Sequence, residues 1–365
     1  MSVPEPRPGK GKALPRQGEG CWWVAPMWTL VALFAVVTAL GSRHFGVPVR
    51  DPHGAWFLRR VALSLGLFVM LTLVDAAVRA SRRGSTFRSA LEVLRGRWTR
   101  GRLALAMTGL LAYHVVYLCY HNLKSWNVFN EPRDDLLYRW DRGLFLGHSP
   151  AVLLHDLLGQ HVAAYVLTLI YVSFSAVLSV AFVAALVFPE RIREGYVFIA
   201  SAMWVWILGV GAYYLIPSLG PFSYSPEEFA GLARTMTQDT QARYLAQRAH
   251  LLAEPQAHDA TAQIAAFASL HVAIMLMILL MARYYRLHRA TQAMTIYVAG
   301  TVLATVYLGW HFAVDIVGGF VIAYAAVSLG RLMIYPAGNR TRLNPRRTRG
   351  QSLPRRLAAS WSVWK

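Results

Sequence analysis

Apolar runs long enough to cross a bilayer alternate with short arginine-rich blocks along this chain. A spanning helix needs roughly 20 predominantly apolar residues. The pattern predicts eight such spans, at 24–42, 57–78, 103–122, 162–188, 196–217, 266–282, 291–309 and 311–334. The fourth is long enough to tilt. The last two are nearly fused, with Gly309 at the turn. The first follows a basic, proline-rich tail and lacks a small-residue cleavage site, so it reads as a retained anchor.

Two connections are too long to be simple turns. Residues 123–160 place Leu136, Leu137, Trp140, Leu144 and Phe145 among Arg139, Asp141 and Arg142, the spacing of an amphipathic helix at a membrane interface. Residues 218–265 hold Pro221, Pro226 and several charges, and read as a cap over one face. No internal repeat is present. The organisation that follows is a disordered tail at 1–22, two spans and a basic loop at 23–101, six further spans at 102–335 and a basic tail at 336–365.

Composition agrees with a membrane protein: 56% of residues are hydrophobic and 15% charged. The net charge of +19 does not point to nucleic acid, because the basic residues sit in short blocks between the apolar runs or at their ends. With the N-terminus inside, the inner segments carry 26 Lys and Arg and the outer segments 11. Both termini are therefore expected in the cytoplasm, with the protein in the plasma membrane. The arginine-rich block at 79–102 is expected to touch anionic lipid or to act as a topology determinant alone. Asp75 is expected to meet that block. Cys21 and Cys119 cannot build a disulfide framework, and neither zinc-ligand spacing nor a phosphate-cradling glycine loop occurs. No metal or cofactor is expected.

That topology brings three ionisable residues to one outer edge. His271 opens the sixth span in AFASLHVA, and His311 and Asp315 open the eighth in YLGWHFAVDIVGG. Four residues apart on a helix, His311 and Asp315 would share one face. The carboxylate can hold one imidazole nitrogen and leave the other free to attack. A second histidine facing the pair can protonate a leaving oxygen. This set suits displacement at phosphorus through a covalent phosphohistidine. A structural His/Asp pair or a metal site is the competing reading, but ionisable groups embedded in spans are costly and default to functional candidates. The other histidines that sit near span ends, His44, His53, His148, His155, His161, His250, His258 and His288, read as interfacial.

ASLH followed by WHFAVD resembles the two C-terminal signature motifs of the type 2 phosphatidic acid phosphatase superfamily. The Leu before His271, YYLIPSLGP at 213–221 and DDLLYRWDRGLFLG at 134–147 resemble its inositol phosphorylceramide synthase-like (inositolphosphotransferase) branch. The resemblance covers about 120–335. It implies an all-α polytopic bundle with a six-helix core, His311 as nucleophile, Asp315 as its orienting acid, His271 as general acid and Ser269 on the phosphate. Ala268 stands where the family has proline, Thr305 where it often has arginine, and the family's Lys then Arg-Pro motif is not evident. The phosphate-binding cation must then come from Lys124, Arg133, Arg139, Arg142, Arg234, Arg243 or Arg248, with Arg43, Arg50, Arg59 and Arg60 behind them. Lys124 is the first choice, at the outer end of the third span. Tyr307, one turn before His311, either lines the site or packs.

The function expected is phosphoryl transfer on a lipid-linked phosphate, a phospholipid or a polyprenyl phosphate. Water resolves the intermediate in a phosphatase, and inositol or another alcohol resolves it in a transferase. A proton-coupled carrier using the histidines as a relay is the competing class; carrier sites lie near the bilayer midplane. A purely structural membrane protein is the third reading.

Overall fold

The structure is a computed structural model that describes residues 21–336 except 52–54, 83, 85 and 86. The expected disordered tails and His53 lie outside the described residues, apart from the tails' innermost positions. In chain order the helices are α1 (Ala25–Phe45), α2 (Ala55–Ser81), α3 (Phe87–Arg97), α4 (Arg100–Trp126), α5 (Asp134–Leu144), α6 (Pro150–Leu158), α7 (Val162–Val187), α8 (Ile192–Leu215), α9 (Pro221–Tyr224), α10 (Met236–Ala253), α11 (Leu270–Tyr284), α12 (His288–Tyr307) and α13 (Ala313–Ile334). The fold is all-α. Helices α1, α2, α4, α7, α8 and α13 are each long and apolar enough to cross a membrane. The protein is a multi-pass membrane protein. The 15-residue apolar helix α11 and the 20-residue α12 stand where the sixth and seventh spans were expected.

Backbone amides inside a bilayer need partners within the chain, which is why these apolar segments are helical. Apolar composition alone misplaces the start of α11. The apolar residues continue back through Ile264, yet the chain there is not helical. Ser218 holds it, with its carbonyl accepting from the Ala266 amide and its hydroxyl accepting from the Phe267 amide. The helix begins only at Leu270, where the Ser269 hydroxyl accepts the Val272 amide as an N-cap.

Helix α8 is the hub. Of its apolar window 72% is buried, against 22% and 17% for α1 and α2. It packs against α4, α7, α11 and α13, while α1 rests on α4, and α2 rests on α3, α4 and α7. Between membrane helices the attraction is close van der Waals contact, so small residues set how near two backbones come. Gly319 illustrates this on α13: a Cβ there would lie 2.6 Å from the Ser269 carbonyl oxygen. That close approach brings the start of α13 beside the start of α11.

The starts of α11 and α13 and the ends of α4, α8 and α12 gather at one end of the bundle, the site end, with α5, α6, α9 and α10. The 218–265 segment is more ordered than its composition suggests. Thr235 and Gln238 form a capping box that starts the 18-residue α10. Gln241 of α10 donates to the Leu308 carbonyl at 2.8 Å and Tyr244 packs edge-on to Trp310, so the helix lies over the site.

At the distal end, Asp75 meets the basic block as expected, with ion pairs to Arg79 at 2.8 Å and Arg97 at 3.0 Å. Both arginines also pair with Glu190. Arg97 and Arg102 point inward as well, donating to the carbonyls of Val187 and Pro189 at the end of α7. The Val187 carbonyl is among the last four of a helix and has no helical partner of its own. These two residues of the 79–102 block are therefore committed to the protein itself.

Candidate active site

His311 is not on a helix, which corrects the expectation that it shares a helical face with Asp315. Helix α12 ends at Tyr307, and Gly309, at φ 74°, reverses the chain as the span pattern predicted. The amides of Trp310 and His311 both turn back to the Thr305 carbonyl at 3.1 Å. Phe312 is extended and α13 starts at Ala313. The pair forms nonetheless. Asp315 Oδ2 accepts from His311 Nδ1 at 3.2 Å and from the Phe312 amide at 3.0 Å. One carboxylate oxygen thus caps its own helix and fixes the imidazole tautomer, leaving Nε2 free. Both residues are buried.

Helix α11 supplies the second imidazole. The His271 ring stacks on Tyr171 of α7, with centroids 4.3 Å apart, and touches Phe174 at 4.4 Å. Tyr171 in turn stacks on Trp310 at 5.3 Å and an interplanar angle of 2°. The two motifs are tied by the backbone, because the Ser269 amide donates to the Asp315 carbonyl at 3.1 Å. The His271 and His311 centroids are 6.1 Å apart, with the rings inclined at 59°. Ser269 is fully buried; its oxygen is engaged by the helix cap, and its own hydrogen is still available to donate.

Lys124 sits near the end of α4 with its ammonium 5.5 Å from the Tyr213 ring centroid. Among the described residues it has no carboxylate partner within ion-pair distance. Other cations of the expected pool are more committed. Arg139, Arg142 and Arg234 each pair with an acid at 2.9 Å, to Asp135, Glu228 and Asp239. Arg50 is buried and donates to the carbonyls of Ala260 and Pro255.

Two placements escaped sequence reasoning. His155 is buried instead of interfacial: its Nε2 meets the Tyr307 carbonyl at 2.8 Å. Tyr307 itself packs, one of its two expected roles, and donates its hydroxyl to the Gly159 carbonyl at 2.6 Å. Helix α5 turns Trp140 and Leu144 outward and buries Asp134 and Asp141. Asp134 accepts the amides of Leu219 and Gly220, at 2.7 Å for the latter. Asp141 accepts the amides of Ala313 at 2.7 Å and Val314 at 2.9 Å, at the start of α13. Burial, with the Asp315 charge nearby, pushes each carboxyl up to about 6. The signal available in the sequence was their spacing of seven, which puts both on one helical face. A pocket beside His311 is lined by Tyr138, Asp141, Arg142, Ser149, Glu228 and Phe312.

A family model described as the PAP2 superfamily matches residues 135–329, more than half of the chain. No curated protein and no solved structure shows significant similarity to it.

Proposed function

The chain belongs to the PAP2 superfamily, and from that premise we propose that it transfers a phosphoryl group from a lipid-linked phosphate through a phosphohistidine on His311. Membership itself points to phosphatase or phosphotransferase chemistry in general. The observation that carries the finer reading is the pair of imidazoles 6.1 Å apart, one of them held by Asp315.

His311 Nε2 attacks phosphorus while Asp315 holds Nδ1–H and stabilises the imidazolium that forms. The P–O bond to the lipid alcohol breaks, and His271 gives its proton to the departing oxygen. His271 then takes a proton from the acceptor, whose oxygen attacks phosphorus and releases His311. Lys124, the Ser269 hydroxyl and the amides opening α11 are the candidates to hold the phosphoryl oxygens. If water is the acceptor the reaction is a phosphatase; if inositol or another alcohol is, it is a phosphotransferase. The cover provided by α10 favours an alcohol, because a lid that excludes water protects the intermediate from hydrolysis. A phospholipid and a polyprenyl phosphate both fit the donor chemistry. The bias of basic residues supports a plasma-membrane protein with cytoplasmic termini and the site on the outer face. The cytoplasmic basic loops would then lie beside anionic lipid.

The test uses purified protein in detergent with phosphatidic acid or phosphatidylinositol labelled in its phosphate. Wild-type protein is expected to trap alkali-stable, acid-labile label and to release free phosphate or a phospho-alcohol. His311→Ala should trap none and lose on the order of 10³-fold or more in kcat. Wild-type turnover by that variant would remove the nucleophile from the scheme.

A further inference from the structure

Helix α5 grips the chain after His311 directly, and the chain before it through the 219–222 segment. We propose that Asp141 is a positioning residue for the nucleophile, acting as a remote N-cap of α13. This inference rests on the reading of His311 given above.

The start of a helix exposes amides with no helical partner, and a local Ser, Thr, Asp or Asn usually accepts one of them. At α13 the N-cap position is Phe312, whose side chain cannot accept a hydrogen bond. Asp315 Oδ2 takes the Phe312 amide, and the amides of Ala313 and Val314 are left to Asp141, one to each carboxylate oxygen. Phe312 is buried instead against Leu137 of the same helix α5, together with Val314. The cap and the apolar contact therefore come from one element, 172 residues away in sequence.

The chain before His311 is held at one remove. Asp134 binds the amides of Leu219 and Gly220, and two residues later the Phe222 amide donates to the Gly309 carbonyl at 3.0 Å. His311 lies between Gly309 and Ala313 with no helix of its own. Its side chain is aimed by these backbone anchors and by Asp315. A displacement of about 1 Å at a nucleophile can cost on the order of 10²-fold in rate.

The experiment compares Asp141→Ala and Asp141→Asn in full-length protein, with the exposed Asp135→Ala as a control. Two readouts are needed: hydrogen exchange of the peptide covering 309–315, and kcat and KM on labelled phosphatidic acid per folded molecule. Asp141→Ala should lose exchange protection at Ala313 and Val314 and lower kcat about 10²-fold with little change in KM. Asp141→Asn keeps one acceptor oxygen but turns a donor NH2 toward the second amide, so it should recover only part of both, and Asp135→Ala should match wild type. Unchanged protection in Asp141→Ala overturns the cap. A loss of protection with wild-type kcat overturns its role in positioning. Failure of the phosphohistidine reading shows separately, in His311→Ala, and hydrogen exchange still decides whether the cap exists.

Discussion

The two ends of the bundle treat buried charge differently. At the distal end Asp75 faces two arginines, both arginines reach Glu190, and Arg97 and Arg102 also satisfy carbonyls at the end of α7. At the site end His271 meets aromatic rings and another imidazole, and Lys124 faces a tyrosine ring. Asp315 directs one oxygen to His311, and its other oxygen is buried without a hydrogen-bond partner among the described residues. A closed network of opposite charges fastens helices together. An incomplete one keeps interaction capacity in reserve for something that arrives later. Ionisable groups are costly inside a membrane protein, and the difference lies in what offsets that cost.

Asp315→Asn puts this contrast under the greatest strain. The amide keeps the size of the side chain but cannot stabilise an imidazolium, so kcat is expected to fall on the order of 10³- to 10⁴-fold. The thermal midpoint, followed on the same preparation, should move little. A variant that keeps its rate and unfolds early would make the site end as structural as the distal one.

The mirror experiment is Arg97→Ala. It leaves Asp75 with a single, partly exposed partner and exposes the end of α7, so a loss of roughly 3 kcal/mol or more is expected in denaturant titration. Turnover per folded molecule should be unchanged. A fall in kcat without a loss of stability would mean that the two ends communicate.

A milder consequence concerns pH. Asp134 and Asp141 ionise near 6 in the folded protein, against an ordinary value of 3.8. The folded state then holds their protons more tightly than the unfolded chain. Their contribution to stability is complete below about pH 4 and is lost as pH rises through about 6. Thermal midpoints measured from about pH 4.5 to about pH 7.5 should decline across that window, and the double change Asp134→Asn, Asp141→Asn should flatten the decline. A decline that persists in the double variant would place its origin in other groups.

The segments that became helices were legible because the bilayer imposes their length and composition. Their ends were less so. The apolar residues ahead of α11 look like more of the same span until Ser218 is seen to hold them, and Ser218 lies some fifty residues away. The approach of His271 and His311 was visible in outline, from two motifs assigned to one edge. That His311 lies on a turn was not, since a His-x-x-x-Asp spacing is equally compatible with a helix. The burial of His155 and the duty of Asp141 depend on carbonyls and amides about 150 or more residues downstream. Local composition around AVLLHDLL or YRWDRG carries no trace of those partners. The aromatic box of Tyr171, Phe174 and Trp310 was invisible for the same reason.

The remote cap on α13 also bears on how the protein is made. A ribosome delivers α5 well before it delivers residues 309–315, and those residues take part of their geometry from α5, beside what Thr305 and Asp315 supply. Insertion of each helix into the lipid is therefore not the last act of maturation. The turn that carries His311 is completed only when α13 docks against an element made in the middle of synthesis.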